Sequence, residues 1–254
     1  MKKSIGFIGG GRITRIILQA FRNKGFAPEN VVVSDTNPEV IGKLRTLFPF
    51  ILEGTPEETA KQEILFIALH PPAIMETLDN IKEIISPDAI VISLAPKITI
   101  EKISGKLNEL KNVARLIPNA TSVINEGYNS VTFSSGFRNK EEILELMMLL
   151  GDTFETEESK LEAYAIISAM LPTYFWFQWQ ACVKIGEQTG LSPEESRVAV
   201  VKTLGKAIQT QFGSGFSYEE VIDLIPVKPI GEHEAQIREI FSEKLIGLFK
   251  KIQP

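Results

Sequence analysis

Three consecutive glycines, Gly9-Gly10-Gly11, stand between a short apolar run and an amphipathic stretch. In that setting they form a phosphate-binding turn: Gly9 permits a tight reversal, and Gly11 lets a pyrophosphate approach the backbone with no Cβ in the way. The helix that follows, opened by Arg12 and Ile13, offers free N–H groups and the positive end of its dipole to the same phosphates. The pattern Gly9-x-Gly11-x-x-Thr14 departs slightly at its third position, where Gly or Ala normally packs helix against strand. Downstream, Ser34-Asp35-Thr36 ends a β-branched run. An acid there hydrogen-bonds the ribose hydroxyls of NAD and repels the 2′-phosphate of NADP. These residues predict a bound dinucleotide, NAD or NADP, with Asp35 tilting the choice towards NAD. Asp35 and Asn37 also suit simple caps for the helix that contains Pro38.

The remaining reactive side chains are few. His70 and His233 are the only histidines, they lie far apart in sequence, and their spacing fits no metal site. His70 ends the run Phe66-Ile67-Ala68-Leu69 and is followed by Pro71, so it is expected to contact a cofactor beside Ala68. A proton donor there would suit reduction of a C=N or C=O bond, although the contact role is the stronger expectation. His233 reads as a solvated helix start. The stripe Tyr174, Phe175, Trp176, Phe177 and Trp179 reads as core or dimer-interface packing, and Cys182 as a small buried hydrophobe.

The elements that must position these residues follow from periodicity. Ser4–Ile8, Val31–Ser34, Ile64–Leu69, Ala89–Leu94, Val113–Ile117 and Ser130–Phe133 are short apolar or β-branched runs, as in strands covered on both faces. Between the first two, Ile13, Ile16, Ile17, Ala20 and Phe21 recur at helical spacing. After Gly151 the strand-like runs cease and helical patterns dominate. Ser192-Pro193-Glu194-Glu195 is a helix start, and Phe212-Gly213-Ser214-Gly215 a helix end. The expected fold is α/β: an N-terminal Rossmann-type, doubly wound parallel sheet at 1–156, then an all-helical domain for dimerisation and substrate at 157–254.

Composition excludes several classes. The 254 residues carry a formal charge of −5, with 44% hydrophobic and 23% charged side chains, an ordinary globular balance. That acidity argues against nucleic acid, which favours a basic face. A single cysteine excludes an intrachain disulfide framework. The start Met1-Lys2-Lys3-Ser4-Ile5 runs straight into the glycines and Arg12, so no secretory signal is expected. The apolar region Leu161 to Val183 contains Glu162, Pro172, Gln178 and Gln180, and reads as a buried helix or helix pair rather than a membrane span. A soluble, cytoplasmic protein is expected.

The order of motifs resembles the pyrroline-5-carboxylate reductase family over most of the chain. Ile5-Gly6-Phe7-Ile8-Gly9-Gly10-Gly11 is similar to that family's nucleotide loop. Phe66 to Pro71 stands where the family has Ala-Val-Lys-Pro beside the nicotinamide, and Ile92-Ser93-Leu94-Ala95 matches its Ser-Ile-Ala strand end. The most specific match is Arg115-Leu116-Ile117-Pro118-Asn119-Ala120, with Asn125-Glu126-Gly127 after it. The resemblance implies a role for Asn119 near nicotinamide and substrate; read alone, Asn119 is a turn residue holding its own loop.

The second half resembles the family in outline and departs from it in chemistry. Where the family carries Leu-Ser-Gly-Ser-Gly-Pro-Ala-Tyr, this chain has Ile167-Ser168-Ala169-Met170-Leu171-Pro172-Thr173-Tyr174. The family's Ser-Pro-Gly-Gly-Thr-Thr, which grips the substrate carboxylate and ring nitrogen, is replaced by Ile225-Pro226-Val227-Lys228-Pro229-Ile230. Pro229 removes a backbone donor, and Lys228 offers one charge in exchange. The resemblance implies an NAD(P)-dependent oxidoreductase transferring hydride to an imine or carbonyl of a small substrate, as in proline biosynthesis. Asn119, Thr173 and Lys228 are its candidate catalytic residues, and the substrate site is altered. The rival expectation is a catalytically inactive NAD(P)-binding sensor or assembly protein. A homodimer or larger homo-oligomer is expected on the same grounds.

Overall fold

The structure, a computed structural model, describes residues 3–254. Met1 and Lys2, part of the start from which a signal was judged absent, lie outside the described residues. Continuous apolar runs become strands buried along their length: β1 (Ile5–Ile8), β2 (Val31–Ser34), β4 (Ile64–Ile67), β5 (Ile90–Ser93) and β6 (Val113–Ile117). With β3 (Leu52–Glu53), β7 (Gly127–Phe133) and β8 (Gly151–Glu155) they form one sheet, in the order β3-β2-β1-β4-β5-β6-β7-β8. Pairing is parallel throughout, except that β7 runs antiparallel to β6. Strand order reverses between β1 and β4, and in open α/β sheets ligands bind outside the carboxyl ends of the strands at such a point.

Helices α1 (Arg12–Asn23) and α2 (Pro38–Leu47) share a core with one face of the sheet; α4 (Pro71–Ile81) and α5 (Ile100–Lys106) share another. Phe7 and Phe66 stack across β1 and β4 with ring centroids 4.7 Å apart. Such a fully buried side chain contributes on the order of 1.5–3 kcal/mol through its removal from water. The helices α3 (Pro56–Ala60) and α6 (Lys140–Met148) complete the crossings.

β8 corrects the expectation that strands end at Gly151. Its sequence, Gly-Asp-Thr-Phe-Glu, is short and charged, and as an edge strand it has only β7 beside it. Gly151 has φ +126°, and a Cβ there would sit 2.2 Å from the nitrogen of Gly127. Two glycines therefore let β7 and β8 begin almost in contact.

By its contacts the chain divides into two units, the second being Leu171–Gly247 and the first comprising the rest. The first includes α7 (Leu161–Tyr164) and a π-helical turn, Ala165–Ala169. Leu161 and Ala165 pack on Ile117, with Ile252 beside them. The second unit begins with α8 (Leu171–Gln188) and α9 (Pro193–Gly213); the expected helix start of α9 is a capping box, in which Ser192 accepts from the Glu195 N–H while the Glu195 side chain accepts from that of Ser192. Ser196 Oγ donates to the Val183 carbonyl at 2.6 Å, an approach possible because Gly186 faces it with no side chain. α10 (Tyr218–Asp223) and α11 (Glu234–Ile252) follow.

Two expectations about this region need correction. Within Leu161 to Val183 only the first part is buried, at Leu161, Glu162, Ala165, Ile166 and Ser168; none of the α8 residues is. Cys182 is exposed rather than buried. A few helices in one chain enclose little volume, so the apolar stripe of α8 stays largely uncovered: Trp176 is 48% and Phe177 68% exposed. Among the described residues no helix is long and apolar enough to cross a membrane.

Candidate functional site: a groove at the strand ends

The glycine loop is built from the strand ends outward. Gly9 donates its N–H to the Ser34 carbonyl at 2.8 Å, and Ala68 donates to Ile8 at 2.8 Å, so β1 is held between β2 and β4. Gly9 has φ +102°, and a Cβ there would lie 2.4 Å from the Ala68 carbonyl oxygen; only glycine fits. Thr14 explains its own departure from the fingerprint: it is buried, and its hydroxyl donates to the Gly9 carbonyl at 2.5 Å, pinning α1 to the turn. Gly11 is the N-cap of α1, and a Cβ added there meets nothing within 4 Å. Space, free helical N–H groups and the helix dipole converge on the outer side of Gly11, as a pyrophosphate requires.

Gly11→Val is therefore expected to leave the melting temperature within about 2 °C, since surface changes stay within about 0.5 kcal/mol. It should weaken dinucleotide binding at least tenfold, read by fluorescence titration. Unchanged affinity in the folded variant would remove this loop from the site.

A groove of about 850 Å³ opens on the loop. Of the residues expected from the sequence, Gly11, Arg12, Ile13, Ala68, His70, Pro71 and Ala95 line it. His70 is exposed and is the N-cap of α4, with no side-chain bond to that helix. Gly9, Ser34, Asp35 and Thr36 are not part of the lining. Ser34 is buried, and its Oγ has no partner among the described residues. Asp35 is occupied: Oδ2 accepts the Gly10 N–H and Oδ1 the Asn37 N–H, both at 2.8 Å, while Asn37 caps α2 through Glu39. Asp35 thus braces the glycine loop against the start of α2. Arg15, Lys43, Leu47 and Met170 also line the groove and were not expected. The signal for them was spacing: Arg15 is one turn beyond Arg12, and Lys43 and Leu47 lie one helical step apart.

Asn119 stands at the end of β6, only 7% exposed. Its Nδ2 donates to the Ser168 carbonyl (2.8 Å) and hydroxyl (3.1 Å), its Oδ1 accepts from the Thr121 N–H (2.9 Å) and hydroxyl (3.0 Å), and its N–H donates to Asn129. It caps the 3₁₀ turn Ala120–Ile124, ties it to the π-helical turn, and does not line the groove.

Arg115, four residues earlier, is fully buried. Its guanidinium reaches Glu158 Oε1 (3.0 Å), Glu162 Oε1 (2.5 Å) and the Ala95 carbonyl (3.4 Å). The same carboxylates accept the N–H groups of Ile100 (2.7 Å) and Lys97 (3.0 Å). The segment that carries Ala95 and Pro96 into the groove is thereby latched from behind.

Thr173 and Lys228 belong to the second unit. Thr173 is in the first turn of α8 and is exposed. Lys228 sits in an exposed turn, its carbonyl accepting the Gly231 N–H at 3.0 Å. Its charge adds to the hydrogen bond from Arg238 that chiefly holds the Glu234 carboxyl below its ordinary value. His233 is exposed just before α11, as expected.

Comparison with known proteins bears on this arrangement. A family model described as NADP oxidoreductase, coenzyme F420-dependent, matches residues 4–97, which hold β1 to β5 and the glycine loop. The pyrroline-5-carboxylate reductase of Corynebacterium melassecola is 25% identical over 253 residues, covering 97% of this chain and 93% of that protein. Among solved structures, a pyrroline-5-carboxylate reductase from Coxiella burnetii aligns with TM-score 0.70 at 22% identity, over 99% of this chain and 95% of the other. The Plasmodium falciparum pyrroline carboxylate reductase with NADP bound aligns with TM-score 0.75 at 19% identity, over 98% and 95%. The chain thus shares the fold of these reductases and is similar along almost its whole length to the Corynebacterium melassecola enzyme.

Proposed function

We propose that the chain is an NAD(P)-dependent reductase that delivers hydride to an imine or carbonyl carbon of a small substrate, with a substrate site altered from that of its relatives. The observation carrying this reading is the groove itself, which runs from the cationic start of α1, past an open Gly11, to strand ends bearing Ala68, His70 and Ala95. A reduced nicotinamide would supply the hydride; the chain's own residues bind, orient and exclude water. The dinucleotide part is 1–156 and the helical part 157–254 serves dimerisation and substrate, with Thr173 and Lys228 as candidate contacts. A cytoplasmic location belongs to the same proposal, and the single cysteine is compatible with a reducing compartment. The test is oxidation of NADPH or NADH with a panel of small cyclic imines and ketones, beside a binding titration on the same preparation. Binding without oxidation of any substrate would overturn it.

That outcome would support the second reading, a dinucleotide-binding protein without turnover. The bonding of Asn119 favours it, because both amide atoms are committed inside the protein. Either way, the exposed stripe of Trp176, Phe177 and Phe212 supports a homodimer or larger homo-oligomer. Sedimentation at micromolar concentration is expected to report at least a dimer; a stable monomer would contradict it.

A further inference from the structure

The strand-end part of the groove holds little that is reactive. Ala68, Leu69, Leu94, Ala95, Pro96 and Met170 line it with apolar side chains, and His70 is the one polar side chain among them. The other titratable groups of the lining, Arg12, Arg15 and Lys43, stand on α1 and α2. The backbone adds few donors here. Helix α4 opens with Pro71 and Pro72, which have no N–H, and the Ala73 N–H donates back to the His70 carbonyl at 3.0 Å. The Leu94 N–H is taken by the Ile67 carbonyl at 3.0 Å, and that of Ala95 turns to Ser93 Oγ. Nearby polar side chains are withdrawn as well. Ser93 is fully buried, and the Asn119 amide is bonded to Ser168 and Thr121.

His70 is placed differently. Ala68 before it is tied to Ile8, and two prolines follow it, so its backbone is held at the groove. Its imidazole is exposed, does not cap α4, and has no hydrogen bond or ion pair among the described residues. Both ring nitrogens are therefore open to a bound molecule.

Hydride addition to a neutral C=N or C=O carbon leaves an electron pair on the heteroatom, which must take a proton. We infer that the His70 imidazolium supplies that proton and is a catalytic residue of the reduction. The inference rests on the reductase reading above, with the nicotinamide at the strand ends. The C4–H bond of the dihydronicotinamide breaks and its electron pair forms the new C–H bond. The π pair of the C=N or C=O bond moves to the heteroatom, whose new bond to hydrogen forms as the imidazolium N–H bond breaks. Oxidised dinucleotide, reduced product and neutral imidazole result, and water returns a proton to the ring. Imidazolium is the working form in reduction, so the rate falls as pH rises; in the reverse oxidation the dependence inverts. A ketone depends on this proton most, because a cyclic imine can arrive already protonated.

The experiment follows NADPH and NADH oxidation by the full chain with cyclopentanone and 1-pyrroline, beside a cofactor titration. In His70→Gln the kcat for the ketone should fall about 100- to 10,000-fold while cofactor affinity changes less than about threefold. The descending limb of the pH profile should vanish, and added imidazole should restore part of the rate of His70→Ala. A second measurement needs no turnover: carbethoxylation by diethyl pyrocarbonate, read by mass spectrometry. Bound NADPH should shield His70 but not His233, and ADP-ribose, which lacks the nicotinamide, should shield it less. A His70→Gln variant that keeps the wild-type rate would overturn the inference and leave the reductase reading intact. So would equal shielding by ADP-ribose, or a pH limb that disappears in Lys228→Met instead. Cofactor binding by the wild type with no oxidation by these probes or by the wider panel would overturn both.

Discussion

Offered pyrroline-5-carboxylate and either reduced cofactor, the chain is expected to turn over at well under one event per second, against roughly 1–1,000 per second for ordinary enzymes. The family's gripping segment relies on glycines whose backbone N–H groups converge on a carboxylate, and on threonines that reach a ring nitrogen. The corresponding Ile225–Ile230 stretch contains two prolines and no hydroxyl, and Ile225, Val227 and Ile230 are exposed apolar side chains. Each hydrogen bond to a charged group is worth about 1.5–3 kcal/mol. Losing two forfeits a factor of about a hundred to ten thousand, before any return from Lys228. Rebuilding the segment as Val227→Gly, Lys228→Gly, Pro229→Thr and Ile230→Thr should raise the rate at least tenfold if this is the missing part. Turnover of the wild type at the ordinary enzyme scale would sink the prediction, and would make Lys228 a working substitute.

The second large effect is on stability. Arg115→Met should destabilise the fold by about 3–5 kcal/mol, because it strands the Glu162 carboxylate, only 2% exposed, without its counter-charge. For a chain of this size the melting temperature should fall on the order of 10 °C. Glu158, at 32% exposure, can turn to water and adds less. The double variant Arg115→Met/Glu162→Met should recover much of the loss, since an apolar pair of similar volume is often tolerated where a broken ion pair is not. A loss below about 1 kcal/mol in the single variant, measured by urea unfolding, would mean that water already reaches the pair. Loosening of Ala95, whose carbonyl Arg115 holds, should weaken cofactor binding in parallel.

The inner strands were legible in the sequence because burial on both faces writes itself as runs of Ile, Val, Leu and Phe, unbroken in β4, interrupted only by Gly6 in β1 and closed by Ser93 in β5. β8 was not, because an edge strand needs no such run. The glycine loop was legible as a motif, since its demands are local: a positive φ at Gly9 and open space at Gly11. The job of Asp35 was not, because it depends on which backbone N–H stands opposite. Gly10, 25 residues earlier in the chain, takes the oxygen that ribose chemistry would use. Asn119 shows the same limit. Its motif was visible, but its partners at Ser168 come from 49 residues away. The stripe on α8 was legible as core or dimer-interface packing but not as one of the two, because an apolar stripe reports that something covers it without saying that the same chain does.

Gly9 and Gly11 look alike in the sequence, yet inheritance would treat them differently. A side chain at 9 collides with the Ala68 carbonyl whether or not any nucleotide is ever present, so the fold itself forbids replacement. Position 11 faces open space, and the protein alone places no demand on it. A descendant of this chain that abandoned its cofactor would keep the first glycine indefinitely and let the third drift to alanine, serine or larger residues. Among close variants of this protein, then, what stands at position 11 is the record of continued nucleotide use, and the glycine at 9 records only that the chain still folds.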